Sequence, residues 1–127
     1  MAENRPLLTV FTATYNRGHL IHRIYQSLIK QKMFNFEWLV IDDGSHDHTE
    51  NLFEDWHKRD NPFAIRYYRQ DNQGLIRTLN RGISLAQGDY FSKIDSDDYV
   101  VDDYAKNISE WVTSIHDSED IYAVSGV

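Results

Sequence analysis

Short apolar, β-branched runs recur along this chain, and an amphipathic stretch separates each from the next. "LLTVFTA" (7–13), "EWLVID" (37–42), "AIRYYR" (64–69), "DYFSKI" (89–94) and "IYAVSGV" (121–127) read as strands. Between them, Leu20, Ile24 and Leu28 recur at helical spacing over 17–32. Leu52, Phe53 and Trp56 share one side of a second helix, and Leu75, Leu79, Ile83 and Ala86 mark a third. Tyr104, Ile108, Trp111, Val112 and Ile115 form the stripe of a fourth, over 102–117. Alternation of this kind predicts an α/β fold, a mostly parallel sheet with helices on both faces. Local signals agree. Asp47 with Glu50 three positions on is a capping-box arrangement, and Gly88 is the expected C-cap of the third helix. Asp102 and Asp103 read as acids complementing the dipole at the start of the fourth.

The 127 residues suffice for one domain with a real core and are too few for two of typical size. A formal net charge of −7 disfavours binding to nucleic acid or anionic lipid, which need a basic surface. An anionic ligand would have to be held by backbone N–H groups, a few arginines or a bridging metal. The absence of cysteine excludes disulfides and thiolate sites and is compatible with a reducing cytosol. The start, "MAENRPLLTVF", lacks a basic region followed by a long apolar run. No apolar stretch approaches the roughly 20 residues a membrane helix needs. The expectation is a cytoplasmic protein without a membrane span in this chain, peripheral at the membrane if at all in its full length. Ending on the apolar "DIYAVSGV" would leave a strand unprotected, so the chain is expected to be the front part of a longer protein.

In open α/β sheets, ligands bind outside the carboxyl ends of the strands. The four loops expected there read "TYNR" (14–17), "DDGS" (42–45), "DNQG" (71–74) and "DSDD" (95–98). They supply carboxylates, amides, hydroxyls and an aromatic ring to one edge. No Gly-x-Gly-x-x-Gly follows the first strand and no P-loop motif exists, so nucleotide phosphates would need another holder. Asp95 and Asp97 fit that need. Residues two apart in an extended or turning segment point the same way, and Mg²⁺ and Mn²⁺ take hard oxygen ligands from one or two carboxylates plus phosphate. From the residues alone, an acidic capping turn explains Asp95 and Asp97 as well as a metal does. Asp42 and Asp43 could be turn formers beside Gly44, although two acids directly after a buried strand are costly unless hydrogen-bonded. His46 and His48 have no third ligand nearby and make a poor zinc set. Arg66, Arg69 and Arg81 read as surface charges balancing acids.

"VFTATYNR", "EWLVIDDGSHDHT" and "DNQGLIRTLNRGISLAQGDYFSKIDSDD" occur in an order and spacing that resembles the family 2 glycosyltransferases of the GT-A fold, from about Leu7 to Val127. The resemblance implies a domain that binds a nucleotide-diphosphate sugar, with UDP-sugar the expected donor and Mn²⁺ or Mg²⁺ the cofactor. It implies nucleoside contacts from Thr14 and Tyr15, with Asn16 in the same loop. It gives base reading to Asp43, with Asp42 beside it, and puts Asn72 near the nucleotide or sugar. Asp95 would lie near ribose and metal, Ser96 beside it, and Asp97 would be the main metal ligand. Many members carry an arginine just before the asparagine matching Asn80. Leu79 stands there in this chain, and Arg77 is the alternative phosphate contact. The family's general base comes downstream with the acceptor-binding part, so it is expected beyond Val127. The acceptor would be a glycan or lipid-linked hydroxyl, and the family analogy implies inversion. Two other classes also suit acids on an α/β sheet. A nucleotidyltransferase should show a Gly- and Lys/Arg-rich first loop, where this chain has "TYNRGH". A receiver-like metal-binding regulatory module should show a lysine after a later strand, whereas Lys93 precedes the acids.

Overall fold

The computed structural model describes residues 5–115. The expected strand at 121–127 lies outside them. The described residues form four strands: β1 (Leu8–Thr14), β2 (Phe36–Asp42), β3 (Ala64–Arg69) and β4 (Tyr90–Lys93). Four helices alternate with them: α1 (His22–Ile29), α2 (Thr49–His57), α3 (Leu75–Leu85) and α4 (Tyr104–Ile115). The strands form one sheet in the order β3-β2-β1-β4, and every pairing is parallel. All seven residues of β2 are buried, which is why its sequence reads as a continuous apolar run.

Side chains alternate across the sheet and divide the core in two. On one face, Leu8, Val10, Phe36, Trp38 and Val40 pack with Ile24 and Leu28 of α1, Phe53 and Trp56 of α2, and Ala105, Ile108 and Val112 of α4. On the other, Phe11, Leu39 and Ile41 meet Leu79 and Leu85 of α3. Helices therefore cover both faces, as the sequence predicts. Trp38 anchors the larger face, and burying a side chain of that size contributes about 3 kcal/mol.

Several local expectations are corrected by contacts distant in sequence. The first helix starts at His22 rather than at 17, because the Gly18 N–H donates to Asp47 Oδ2 (2.9 Å) and Leu20 and Ile21 form a turn on the Arg17 carbonyl. Asp47 makes no capping box. Its Oδ1 accepts the N–H of Thr49 at 3.0 Å, one position earlier than the box requires. Gly88 is no C-cap, since α3 ends at Leu85 with Ala86 already extended. Gly88 instead lies against β1, where a Cβ would sit 2.5 Å from the Thr9 nitrogen. Asp103 pairs with Lys32 (2.6 Å) outside the first turn of α4. The Ala105 N–H of α4 is met by Gln31 Oε1 at 2.8 Å, while Gln31 Nε2 donates to the Val101 carbonyl at 2.7 Å. This buried amide ties the segment behind the "DSDD" loop to the end of α1.

Arg66 and Arg81 are not loose surface charges. Arg66 Nη1 is 2.8 Å from Oε1 of Glu37, which is 1% exposed, and it also donates to the Leu85 carbonyl. The Thr9 hydroxyl and the Gln87 N–H donate to the other Glu37 oxygen at 2.6 and 2.7 Å. A buried carboxylate needs such a set of donors. Arg81 donates to Gln70 Oε1, and Arg69 to the Ser45 carbonyl.

Candidate active site

The carboxyl ends of all four strands open on one edge of the sheet. A cleft of about 280 Å³ lies there, lined among others by Thr14, Tyr15, Arg17, Asp43, Asn72 and Ser96. Each strand end contributes, as the alternation of strand and polar loop requires.

Besides the Asp43 N–H on the Thr14 carbonyl (2.9 Å), three hydrogen bonds join the first two loops. Asn16, at φ 53°, donates its N–H to Ser45 Oγ (2.8 Å) and accepts the His46 N–H on Oδ1 (2.8 Å). The third is the bond from Gly18 to Asp47. Asn16 tolerates the left-handed backbone better than most residues, so its side chain shapes the loop and does not line the cleft. Asp42 is likewise turned inward. It is fully buried and accepts the Ser45 N–H on Oδ1 and the Tyr67 hydroxyl on Oδ2. Burial, then the bond to Asp42, push the Tyr67 hydroxyl far above its ordinary range and keep it protonated as a donor.

Asp43 faces the cleft. Its Oδ1 accepts Gln70 Nε2 (2.9 Å) and the Gln73 N–H (2.8 Å), and its Oδ2 accepts the Gly74 N–H (3.0 Å). Burial alone would raise its pKa. The bonds from Gln70, Gln73, Gly74 and Thr78 together outweigh burial and hold the group below the usual carboxylate range. Asp43 is therefore ionised at neutral pH and can only accept hydrogen bonds. Of the three donors within bonding geometry, Gln70, Gln73 and Gly74, only Gly74 is on Oδ2, which keeps acceptor capacity. Beside it, the Thr14 hydroxyl is buried at 2% exposure and has no partner among the described residues. An unpaired buried hydroxyl costs stability unless something else satisfies it.

Asn72 donates to the Asp43 carbonyl at 3.1 Å and lines the cleft. Arg77 is exposed on α3 and is not among the lining residues, while Leu79 packs into the core beneath. The chain therefore brings no cation to the cleft from either position. Arg17, which the sequence did not single out, lines it instead, together with Thr78 one turn into α3. Gln70, buried behind Asp43, was also missed, and only its place directly after β3 could have signalled it.

At the fourth loop, the Asp98 N–H donates to the Asp95 carbonyl (3.0 Å) and closes a turn. This turn, rather than strand alternation, gathers the acids. One carboxylate oxygen from each of Asp95, Asp97 and Asp98 lies within 4.8 Å of the others, all on exposed residues. Lys93 Nζ approaches Asp95 Oδ1 at 3.2 Å. Hard oxygen donors at this spacing fit Mg²⁺ or Mn²⁺. Asp95 and Asp97 would hold such an ion, and it would supply charge to offset a diphosphate. His46 and His48 join no such cluster among the described residues.

Residues 9–118 match the family described as Glycosyl transferase family 2. The chain belongs to that family. Its relatives include EpsH of Bacillus subtilis strain 168, named as a glycosyltransferase, 36% identical over 81% of this chain and 29% of its own length. GlyG, a glycosyltransferase of Streptococcus pneumoniae, is 31% identical over 84% of this chain and 35% of its own length. This family 2 chain thus spans about a third of the length of these relatives. Among solved structures, Staphylococcus aureus TarS (residues 1–349) in complex with UDP-GlcNAc superposes with a TM-score of 0.78. It is 26% identical, over 86% of this chain and 32% of that one. The mannosyltransferase PcManGT of Pyrobaculum calidifontis, in complex with GDP-Man and Mn²⁺, gives 0.76 at 25% identity, over 85% and 32%. The fold is that of the GT-A glycosyltransferases.

Proposed function

We propose that this chain is the donor-binding part of a metal-dependent glycosyltransferase that transfers a sugar from UDP to a hydroxyl of a glycan or lipid-linked acceptor. The observation that carries the reading is the pairing of an ionised, acceptor-only Asp43 with the unpartnered Thr14 hydroxyl in one cleft at the strand ends. An anionic acceptor selects a base that presents a ring N–H. Uracil and guanine do so, whereas the corresponding nitrogens of cytosine and adenine are acceptors and would be repelled. The nucleotide complexes of TarS and PcManGT, one with a uracil and one with a guanine nucleotide, agree with that selection.

In this reading Tyr15, 44% exposed at the cleft, stacks on the nucleoside. Thr14 donates to it, and Asn72 and Ser96 border the ribose and sugar. Asp95 and Asp97 hold Mn²⁺ or Mg²⁺ against the diphosphate, and Arg17 adds positive charge in a protein of net charge −7. When bound, the metal supplies charge stabilisation of the departing nucleotide diphosphate. The general base that would activate the acceptor for inversion belongs, in this reading, to the part of the relatives' length that the chain does not span. Arg77 is left for the sugar or acceptor side.

The test is a thermal-shift panel of UDP-, GDP-, ADP- and CDP-sugars, with and without Mn²⁺. A ligand that binds only the folded state raises the melting temperature. UDP-sugars should do so most, and most with Mn²⁺ present. No shift with any nucleotide sugar in a cooperatively folding protein would overturn the reading.

A further inference from the structure

Gln70 sits behind Asp43 with both ends of its side-chain amide engaged. Nε2 donates to Asp43 Oδ1 (2.9 Å) and to Thr78 Oγ1 (2.9 Å), and Oε1 accepts Arg81 Nη1 (2.8 Å). A guanidinium can only donate and a carboxylate can only accept, so the amide has one consistent orientation between them. Its dipole then points its positive end at Asp43. The arginine is itself seated. Its guanidinium carbon lies 5.7 Å from the centre of the Tyr68 ring, and that of Arg66 lies 5.7 Å from the same ring. Arg66, Tyr68 and Gln70 alternate along β3 and its end, so all three project to the α3 side of the sheet.

We propose that Arg81 is a positioning residue for base selection: by fixing the Gln70 amide, it holds Asp43 as the acceptor that distinguishes uracil from cytosine. The proposal rests on the reading of Asp43 as the base contact. Hydrogen bonds in series polarise one another, so a cation at the far end of the amide strengthens the near end. Without Arg81 the partly buried Oε1 lacks its donor and the amide loses one of its two restraints. Asp43 then meets a less ordered donor, while its bonds to Gln73 and Gly74 remain. The groups facing Asp43 are Gln70 directly after β3, Gln73 and Gly74 from the loop, and Thr78 from α3. Arg17 is the charged neighbour lining the cleft, and Asp42 the adjacent acid, engaged by Tyr67.

The experiment is calorimetric titration of UDP and of CDP, in Mn²⁺, into the wild type and Arg81→Met. The wild type should prefer UDP. Arg81→Met should weaken UDP by about fivefold, the scale of one buried hydrogen bond, and leave CDP nearly unchanged, so the ratio narrows. Arg81→Lys, which keeps a donor for Oε1, should restore the ratio. A merely structural role would lower both affinities together. Tyr68→Leu removes the ring beneath the guanidinium and should shift the ratio in the same direction, which serves if Arg81→Met does not fold. No UDP preference in the wild type would overturn the base reading itself. A wild-type preference left unchanged in Arg81→Met and Tyr68→Leu would overturn the role of Arg81 alone.

Discussion

The carboxylate of Asp43 accepts the main-chain N–H of Gly74 at 3.0 Å, across 31 positions of sequence. With the Gln73 N–H on its other oxygen, it fixes the entry to α3 and makes one edge of the cleft. Asp43→Asn should cost about 1–3 kcal/mol, because an asparagine must turn its NH₂ toward one of those donors. Urea unfolding measures the loss, and UDP titration should show weakened binding in the same variant.

Acid should act through the same group. The folded pKa of Asp43 lies below its ordinary value, and so does that of Asp47, where the Thr49 hydroxyl and the Gly18 and Thr49 N–H groups outweigh burial. A depressed carboxylate contributes its full stability above the unfolded pKa and loses it as pH falls through the folded one. Urea midpoints should therefore hold from pH 7 to about 4 and drop below that. The double variant Asp43→Asn/Asp47→Asn, less stable at neutral pH, should show a shallower drop.

Glu37 and Arg66 form an ion pair on the α3 side of the sheet, with Glu37 buried near the amino end of β2. Arg66→Met leaves the carboxylate short of its cation and should cost about 3–5 kcal/mol. Glu37→Leu/Arg66→Met removes both charges and should cost less than Arg66→Met alone. The comparison of urea midpoints across the three proteins decides it.

Two glycines of α3 and its entry separate packing from backbone geometry. A Cβ at Gly82 would lie 2.3 Å from the Phe11 ring, so Gly82→Ala should cost about 1–3 kcal/mol by overpacking. A Cβ at Gly74 would meet nothing within 4 Å, but its φ of +93° is unfavourable for alanine. Gly74→Ala should cost about 1 kcal/mol through the backbone alone.

The sheet was legible in the sequence because its evidence is local. β2 is buried on both faces, so a run of apolar residues announces it. The stripe expected for α3 was only half right: Leu79 and Ala86 pack on the core, but Leu75 and Ile83 are exposed, and Thr78 and Gly82 are buried in their place. What was illegible depends on partners far along the chain. Gly18 leaves α1 for a carboxylate 29 positions away, and Arg66 finds Glu37 at the same separation. Within the site, the strand-end positions of Thr14, Asp43, Asn72 and Ser96 were readable from the loops, and these residues line one cleft. The division of labour between Asp42 and Asp43 was not. Both follow the same strand, and only the inward turn of Asp42 toward Tyr67 and Ser45 tells them apart.

We propose that a divalent ion held by Asp95 and Asp97 would join an anionic donor to an anionic protein. The most direct measurement of this is the affinity for UDP with and without Mn²⁺, in the wild type and in Asp97→Ala. The expected result is a marked strengthening by Mn²⁺ in the wild type that disappears in the variant, with folding intact. Equal affinity with and without Mn²⁺ in a wild type that binds UDP, or the same strengthening in Asp97→Ala, would contradict it.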